Sequence, residues 1–233
     1  MWVDNMKELC KNYKPEILLC PICGNKLNYR YAVSNKVVHF LSGKTFRIRN
    51  LGYGCNECND KRVYVSQTAN KLSFKGYTYS AKVACLIYYY KDKGFGREYI
   101  CDLLSSKGVE MSDRNIDVIY KKVQKLFEID PDVSISLAYN EMMETYNEIR
   151  LSIDVITIEK TVFILIYDYF STELLAIRSF IRDSDGVKDF LTKYINRDLN
   201  ITVITSIRRD SRYIPMLKGL CPSYTKFIAY QKF

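Results

Sequence analysis

The sequence has no hydrophobic stretch long enough to cross a membrane. Its longest strongly apolar run, VFILIY, extends only from Val162 to Tyr167, whereas a transmembrane helix needs about 20 apolar residues. The N-terminal stretch MWVDNMKELCKNYK is polar and lacks the apolar centre of a signal peptide. We therefore expect no membrane partner and a cytoplasmic location.

Histidine is nearly absent, and internal repeats and low-complexity tracts are absent altogether. The one histidine, His39, lies in an apolar strand pattern, so we expect it to be packed rather than to bind a metal. Hydrophobic residues make up 48% of the 233 residues. This content excludes a disordered chain, and the length allows two or three small domains with cores of their own.

Acidic residues are too few to balance the basic ones. The chain has 35 lysines and arginines against 26 acidic residues, and its net charge is +9. Residues 1–130 hold 22 basic and 13 acidic residues, whereas residues 131–233 hold 13 of each. A solvated basic surface would account for this excess. A module that binds a polyanion, joined to a neutral second domain, accounts for it better, because motifs in the same region point the same way.

Four of the eight cysteines form two Cys-x-x-Cys pairs, Cys20 with Cys23 in CPICGN and Cys55 with Cys58 in CNEC. Each pair directs two sulfurs at one ion, and four thiolates suit tetrahedral Zn²⁺. Since four protein ligands leave no open position, the predicted zinc is structural. Two unlinked cysteine pairs in a reduced core are the alternative. A redox role is disfavoured because neither pair lies in a strand–helix unit.

The residues between the two pairs predict a small sheet. LNYRYAV, KVVHF and KTFRIRNLGYGC each alternate apolar and polar residues, as strands do. The 31-residue spacer between Cys23 and Cys55 is longer than the roughly 15–20 residues usual for such a site. We predict a zinc ribbon with an N-terminal extension over residues 1–68, in which Arg47 and Arg49 on the last strand contact phosphates.

Residues 69–130 predict three helices. YSAKVACLIYYYKDKG, GREYICDLLSSKG and VEMSDRNIDVIYKKVQKLF each place apolar residues at helical spacing. A four-residue link, Val109 to Ser112, precedes the third helix, as in a helix-turn-helix. A plain three-helix bundle with a solvated charged face is the alternative.

In a helix-turn-helix, the N-terminal part of the last helix enters the major groove of DNA. Arginine and asparagine there can bond to base edges, and lysines further along suit phosphates. Besides the two arginines of the ribbon, the predicted DNA-contacting residues are Arg97, Ser112, Asp113, Arg114, Asn115, Asp117, Lys121, Lys122 and Lys125.

The remaining residues predict a linker and then a mixed α/β sheet. Residues 131–148 predict the linker, with or without a short helix, and a hinge at Pro131. Residues 149–233 predict three hairpin-linked strands, IRLSIDVITI, TVFILIYDYF and LLAIRSFI, followed by a helix, a strand, a helix and a strand. The last four are SDGVKDFLTKYIN, ITVITSI, SRYIPMLKGL and KFIAY.

The order of these parts is similar to that of a known family. A zinc ribbon, a helix-turn-helix and then LSID opening an RNase H-like sheet resemble prokaryotic insertion-sequence transposases of the DDE type. The resemblance covers nearly the whole chain. It implies a multidomain protein with a small β domain, an all-α domain and an α/β RNase H-like domain over residues 149–233. It also implies a site for two metal ions held by three carboxylates.

Only one of these three carboxylates has a match. The family's first carboxylate lies on the first strand, where Asp154 in LSIDVI matches it. Its second ends the fourth strand in a Thr-Asp pair, and here that place reads Thr205-Ser206. Its third lies on a helix beyond the fifth strand, and the sequence ends at Phe233 before such a helix. Asp210 is the nearest substitute for the second.

Loss of carboxylates predicts loss of catalysis. Two Mg²⁺ ions about 4 Å apart need several anionic oxygens, and a serine hydroxyl is neutral. We therefore expect no catalytic residue, a vestigial Asp154 and no functional Mg²⁺.

The expected protein is a truncated, domesticated relative of the transposases that binds a defined double-stranded DNA site. It would associate with the nucleoid and act in transcription regulation or DNA recombination. We expect no small-molecule substrate. The RNase H-like domain would then serve homodimerisation or the binding of another partner.

Two other functions stay open. An active transposase or nuclease, with a rearranged site or one completed by a partner chain, would cleave DNA in a metal-dependent way. A scaffold whose basic half binds RNA would fit the zinc ribbon alone. The helix-turn-helix favours duplex DNA, because a helix fits its major groove and not that of A-form RNA.

Overall fold

Seven helices and two sheets make up the described part of the chain, which in the computed structural model comprises residues 9–182, 185–195, 201–205, 213–220 and 225–227. The strands are β1 (Leu9–Tyr13), β2 (Asn28–His39), β3 (Thr45–Gly54), β4 (Ile149–Ile158), β5 (Thr161–Asp168), β6 (Leu174–Ile181), β7 (Ile201–Thr205) and β8 (Thr225–Phe227). The helices are α1 (Gln67–Lys71), α2 (Ala81–Asp92), α3 (Arg97–Ser105), α4 (Asp113–Phe127), α5 (Pro131–Tyr146), α6 (Gly186–Tyr194) and α7 (Tyr213–Leu220). The fold class is therefore mixed α/β. No helix among these residues combines the length and the apolar character that a bilayer crossing requires.

Alternating side chains build the first sheet, whose strand order is β1-β3-β2. Along the central strand β3, every second residue from Phe46 to Gly54 is buried, so one face of the strand packs inward and the other is only half-buried. β1 runs parallel to β3, and β2 runs antiparallel to it. Of the three strand segments predicted between the two cysteine pairs, the first two form one continuous strand, β2, and the third forms β3.

The second sheet has the strand order β6-β5-β4-β7-β8. β4, β5 and β6 pair antiparallel, whereas β7 lies parallel to β4 and β8 lies parallel to β7. In the chain, α6 comes between β6 and β7, and α7 comes between β7 and β8. The predicted succession of strands and helices after residue 149 is therefore present, and β4 and β6 have the predicted bounds.

Residues 131–146 form a helix of 16 residues, longer than the short helix left open within the linker expected over residues 131–148. α5 begins at Pro131, which follows the capping residue Asp130, and it ends before Asn147, a C-cap in the left-handed region. Its buried positions lie three or four residues apart and belong to the core of the second sheet. They are Ile135, Ala138 and Met142. A narrow buried stripe of this kind is enough to hold a helix against a sheet.

Contacts between residues divide the chain into two compact units, and neither is continuous in sequence. Of the described residues, 9–83 and 96–113 belong to the first unit, and 84–95 and those from 114 onward belong to the second. The first unit contains the first sheet, α1 and α3, whereas most of α2 and α4 lies in the second. This division differs from the predicted domain over residues 69–130. The three predicted helices are present, and their arrangement as a helix-turn-helix stays a prediction.

The second unit carries helices on both faces of its sheet. One face, which includes Leu151 and Ile153, packs in a core with α5, α6 and α7. On the other face, Tyr88 of α2 stacks on Phe127 of α4 with ring centroids 4.4 Å apart, and both rings meet Phe163 of β5 edge-on. Because both faces are covered, β5 is apolar along nearly its whole length and does not alternate.

In the first unit, two glycines allow a close backbone approach. Gly43 lies in the turn between β2 and β3, Gly108 follows α3, and both have a positive φ, +75° and +74°. A Cβ atom on Gly108 would lie 3.1 Å from the Gly43 Cα atom. A larger residue at position 108 therefore strains its own backbone and also pushes the turn away.

Gly108→Ala should lower the free energy of unfolding by about 2–3 kcal/mol, since it adds both backbone strain and a close contact. Gly76→Ala is the matched control. Gly76 has a φ of +79° but open space where a Cβ atom would lie, so strain alone should cost about 1–2 kcal/mol. Urea unfolding followed by circular dichroism measures both losses, and equal losses would show that the close approach contributes nothing.

Candidate metal centre and nucleic-acid surface

The first cysteine pair lies on a tight turn. Cys20 donates its backbone N–H to the Asn25 carbonyl at 2.7 Å, and Gly24 donates to the Cys20 carbonyl at 2.9 Å. Gly24 has a φ of +73°, which a residue with a side chain rarely adopts. The turn brings the sulfurs of Cys20 and Cys23 close together.

The second pair follows the end of β3. Arg30 of β2 donates to the Cys55 carbonyl at 2.9 Å, which ties the start of this pair to the neighbouring strand. Gly54 precedes the pair, and a Cβ atom there would lie 2.8 Å from Arg30 Nε. Sequence reasoning missed the part that Arg30 plays. The signal that could have found it is the glycine directly before the pair, which leaves room for a long side chain from β2.

All four sulfurs lie within 4.8 Å of one another. Those of Cys20 and Cys58 are 3.7 Å apart, and those of Cys23 and Cys55 are 3.5 Å apart. A tetrahedral Zn²⁺ with Zn–S bonds of about 2.3 Å needs sulfurs about 3.8 Å apart, whereas a disulfide needs about 2.05 Å. The predicted ligands are therefore brought together in a compact group that is consistent with structural zinc.

The four thiols differ in how readily they ionise. The backbone N–H of Glu57 lowers the pKa of Cys55 to about 7. The pKa of Cys58 is raised to about 12: the backbone N–H of Asp60 lowers it, but burial and the neighbouring sulfurs outweigh that effect. Burial also raises the pKa of Cys20. Four adjacent thiolates repel one another, so all four ionise near neutral pH only around a cation, and Zn²⁺ supplies that charge when bound.

His39 lies outside this group. Its Nδ1 atom is 2.9 Å from the Thr45 hydroxyl oxygen, and its ring centroid is 5.2 Å from that of Tyr79. The side chain is half-buried among these neighbours, in keeping with a packed histidine. Three further cysteines of the described chain are also outside the group: Cys10, Cys85 and Cys101.

Most of the predicted DNA-contacting residues of α4 lie away from its buried side. The buried side consists of Ile116, Ile119 and Val123. The exposed residues are Ser112, directly before the helix, and then Asp113, Arg114, Asn115, Lys121, Lys122 and Lys125. Asp117 is half-buried and forms a salt bridge of 3.3 Å with Lys91 of α2.

The other predicted contacts belong to the first unit. Arg97 is exposed at the start of α3. Arg47 and Arg49 are half-buried, on the side of β3 opposite its buried residues. The Cys101 thiol donates a hydrogen bond to the Asp113 carboxylate at 3.1 Å. Asp113 and Asp117 therefore each have a partner within the protein.

Asp154 lies on the central strand of the second sheet. β4 and β7 run parallel, with Ile153 opposite Thr205. Asp154, the position that the transposase resemblance assigns to the first carboxylate, therefore directly follows the last described pair of this register. Ser206 and Asp210, which bear on the second carboxylate, lie outside the described residues.

The face that carries Asp154 packs against α2. Cys85 of α2 is buried, and the charge of Asp154 adds to burial in raising the pKa of its thiol. The same two effects, burial first, raise the pKa of Tyr167 on β5. In the part of the chain that the structure describes, the four cysteines are the only group of three or more metal-ligating side chains. Asp154 is thus not part of a described group that could hold two metal ions.

Comparison with known proteins identifies no family for this chain. No family model matches the chain, and no curated protein matches it either. The resemblance to DDE transposases therefore stays an expectation based on the order of the motifs.

Protein purified without chelators should contain one Zn²⁺ per chain, and Cys20→Ser should remove it, because three thiolates leave the ion a weaker, open site. Without the metal, the first sheet should unfold while the second stays folded. Cys10→Ser is the matched control, since Cys10 is an exposed cysteine of the same unit outside the group. Elemental analysis measures the zinc, and amide hydrogen exchange measures the folding of each sheet. Wild-type protein without zinc would contradict the assignment.

Proposed function

We propose that the protein is a sequence-specific double-stranded DNA-binding protein, derived from a DDE transposase and catalytically inactive. α4 is the proposed recognition helix, and the zinc-bound first sheet assists it. The protein then acts as a regulator or an architectural factor at the sites it binds. The observation that carries this proposal is the contrast between the two sides of α4.

The outer side of α4 presents a basic strip at helical spacing. Arg114, Val118, Lys121 and Lys125 lie three or four residues apart, so they follow one line along the helix, and all four are exposed. The inner side is apolar and buried, which fixes the orientation of the strip. A helix of this kind fits the major groove of B-form DNA, and its charge suits the phosphates on either side.

The two halves of the strip suit different parts of a duplex. Near the N-terminus, Arg114 and Asn115 can each make two hydrogen bonds to a base edge, and Val118 can contact a thymine methyl group. Lys121 and Lys125 further along the strip suit phosphates, which set the position of the helix without reading bases. Sequence preference is therefore assigned to the first half of the strip, and general affinity to the second.

The second unit supports a transposase origin without transposase chemistry. Three hairpin-linked strands, then a helix, a strand, a helix and a strand are the succession that the RNase H-like resemblance implies. A two-metal site needs several anionic oxygens around two divalent ions. Asp154 supplies one carboxylate, and its neighbours include the buried thiol of Cys85 on α2 and the phenol of Tyr167 on β5.

Arg114→Ala should weaken binding to the preferred DNA site by about 1–3 kcal/mol and relax the sequence preference, because a base contact is lost. Lys125→Ala should weaken binding to preferred and random duplexes alike and reduce the salt dependence, because a phosphate contact is lost. The preferred site is first selected from random duplexes, and each variant is then titrated at several salt concentrations. If Arg114→Ala weakened binding to both kinds of duplex equally, α4 would not be the recognition helix.

The wild-type protein should neither nick nor join DNA with Mg²⁺ or Mn²⁺, because one carboxylate does not organise two divalent ions. Asp154→Asn should leave the affinity for DNA unchanged, since Asp154 lies outside the basic part of the chain.

An active or partner-completed DDE transposase is the second candidate. The pairing of β4 with β7 supports it, because Ile153, the residue before Asp154, lies opposite Thr205, the residue before Ser206 in the sequence. Cleavage by the wild-type chain that requires a divalent metal, and that Asp154→Asn abolishes, would establish the enzyme and overturn the inactive assignment.

A further inference from the structure

The first sheet has an open face that the proposed recognition helix does not use. On β3 this face consists of Arg47, Arg49, Leu51 and Tyr53, and on β2 it includes Tyr29, which pairs with Tyr53. We call these five residues the open sheet face. Each of them is half-buried or exposed, whereas the alternate residues of β3 are buried. The side chains therefore stand on the solvent side of the sheet.

Positive charge lies at one end of the open sheet face and aromatic rings lie at the other. No residue that β1 or β2 places in register with Arg47, Arg49, Leu51 or Tyr53 is acidic. In the described part of the chain, Arg49 forms no salt bridge. Arg49 therefore contributes a positive charge that no salt bridge among the described residues neutralises, which favours an anionic ligand.

The aromatic end of the face is unusually open to solvent. Tyr29 keeps 54% of its surface exposed, and its ring meets that of Tyr53 edge-on with centroids 5.9 Å apart. A ring that stays in water contributes little of the burial that would stabilise the fold. Its upper face is available to a flat partner, and nucleobases stack on tyrosine rings in this way.

We propose that the open sheet face binds single-stranded DNA, with bases stacked on Tyr29 and Tyr53 and phosphates held by Arg49. Duplex DNA fits less well, because its bases hide their flat faces in the stack and offer nothing to the tyrosine rings. An acidic protein surface would pair with the arginines but would make no specific use of the rings. From Arg47 to Tyr53 the strand covers about 20 Å, a length that matches roughly six stacked nucleotides.

This inference goes beyond duplex recognition and does not rest on α4. It gives the protein a second surface, suited to a strand that becomes exposed where a duplex opens or ends. The two surfaces also differ in chemistry. The strip on α4 reads base edges in a groove, whereas the open sheet face takes unpaired bases by their flat sides and is indifferent to sequence.

Fluorescence anisotropy of a labelled single strand of mixed sequence, titrated with the zinc-loaded full chain, tests the proposal. Tyr29→Ala should weaken binding to this strand at least about fivefold, because one stacking ring is lost. Tyr29→Phe is the matched control and should bind like the wild type, since the ring remains. Both variants should bind duplex DNA with unchanged affinity. Arg49→Gln should weaken binding to the single strand and reduce its dependence on salt.

Photocrosslinking supplies an independent measurement. A single strand that carries 5-iodouracil should crosslink to the peptide containing Tyr29 or to that containing Tyr53, and mass spectrometry identifies the peptide. Zinc content is measured for every variant. If Tyr29→Ala lost its metal, Arg49→Gln and the crosslink would decide the question, because neither depends on the truncation of a ring.

Several outcomes would overturn the proposal. These are absence of binding to the single strand, unchanged binding by Tyr29→Ala with zinc bound, and an equal loss for single strand and duplex. Tighter binding to RNA of the same sequence would reject DNA as the ligand. Self-association of the wild type that Tyr29→Ala abolishes would assign the face to a second copy of the chain. Duplex binding that depends on Arg114 would survive all these results, so the two proposals fail separately.

Discussion

Repulsion among four thiolates is the constraint on which the first unit depends. The sulfurs of Cys20, Cys23, Cys55 and Cys58 lie within 4.8 Å of one another, and ionised thiolates stay that close only around a cation. One pair precedes β2 and the other follows β3, so the bound ion would clasp the open end of this hairpin. At the closed end, the turn at Gly43 packs against the backbone at residue 108. A sheet of three strands buries little apolar surface by itself, and these two points of attachment hold it from both ends.

The second unit depends instead on burial from both sides of its sheet. Helices α5 to α7 cover one face, and the stacked rings of Tyr88 and Phe127 cover the other at Phe163. α4 therefore has two separate tasks. Its inner residues complete the core of an α/β unit, while its outer residues form the basic strip. A substitution on the outer side can therefore change the charge of the strip without altering the core. Asp154 lies on the face that Tyr88 and Phe127 cover. Its carboxylate therefore has the buried thiol of Cys85 and the buried phenol of Tyr167 for neighbours.

Short-range patterns in the sequence predicted the features that neighbouring residues determine by themselves. Strict spacing identified the four cysteines, and alternation placed β4 and β6 with the observed bounds. The length of α5 was underestimated because exposed Val133 and Leu137 lie beside its buried stripe and blur the periodicity. No local pattern indicates to which of the two compact units α2 and α4 belong. Periodicity shows that one side of a helix is buried but not what covers it, and Tyr88 meets Phe163, which lies 75 residues further along the chain. Arg30 was missed for the same reason, since its partner is the carbonyl of Cys55, which lies 25 residues further along the chain.

The two units are interleaved in the chain, since the first is left at residue 83, resumed at residue 96 and left again at residue 113. A single break between residues 84 and 113 cannot yield both units whole. A break before residue 96 takes 96–113 from the first unit, and a later one takes 84–95 from the second. A gene rearranged by one crossover in this region would therefore lose part of at least one unit. Exchanging either unit for another would take more than one crossover, whereas substitutions on the surfaces of the units leave both of them whole.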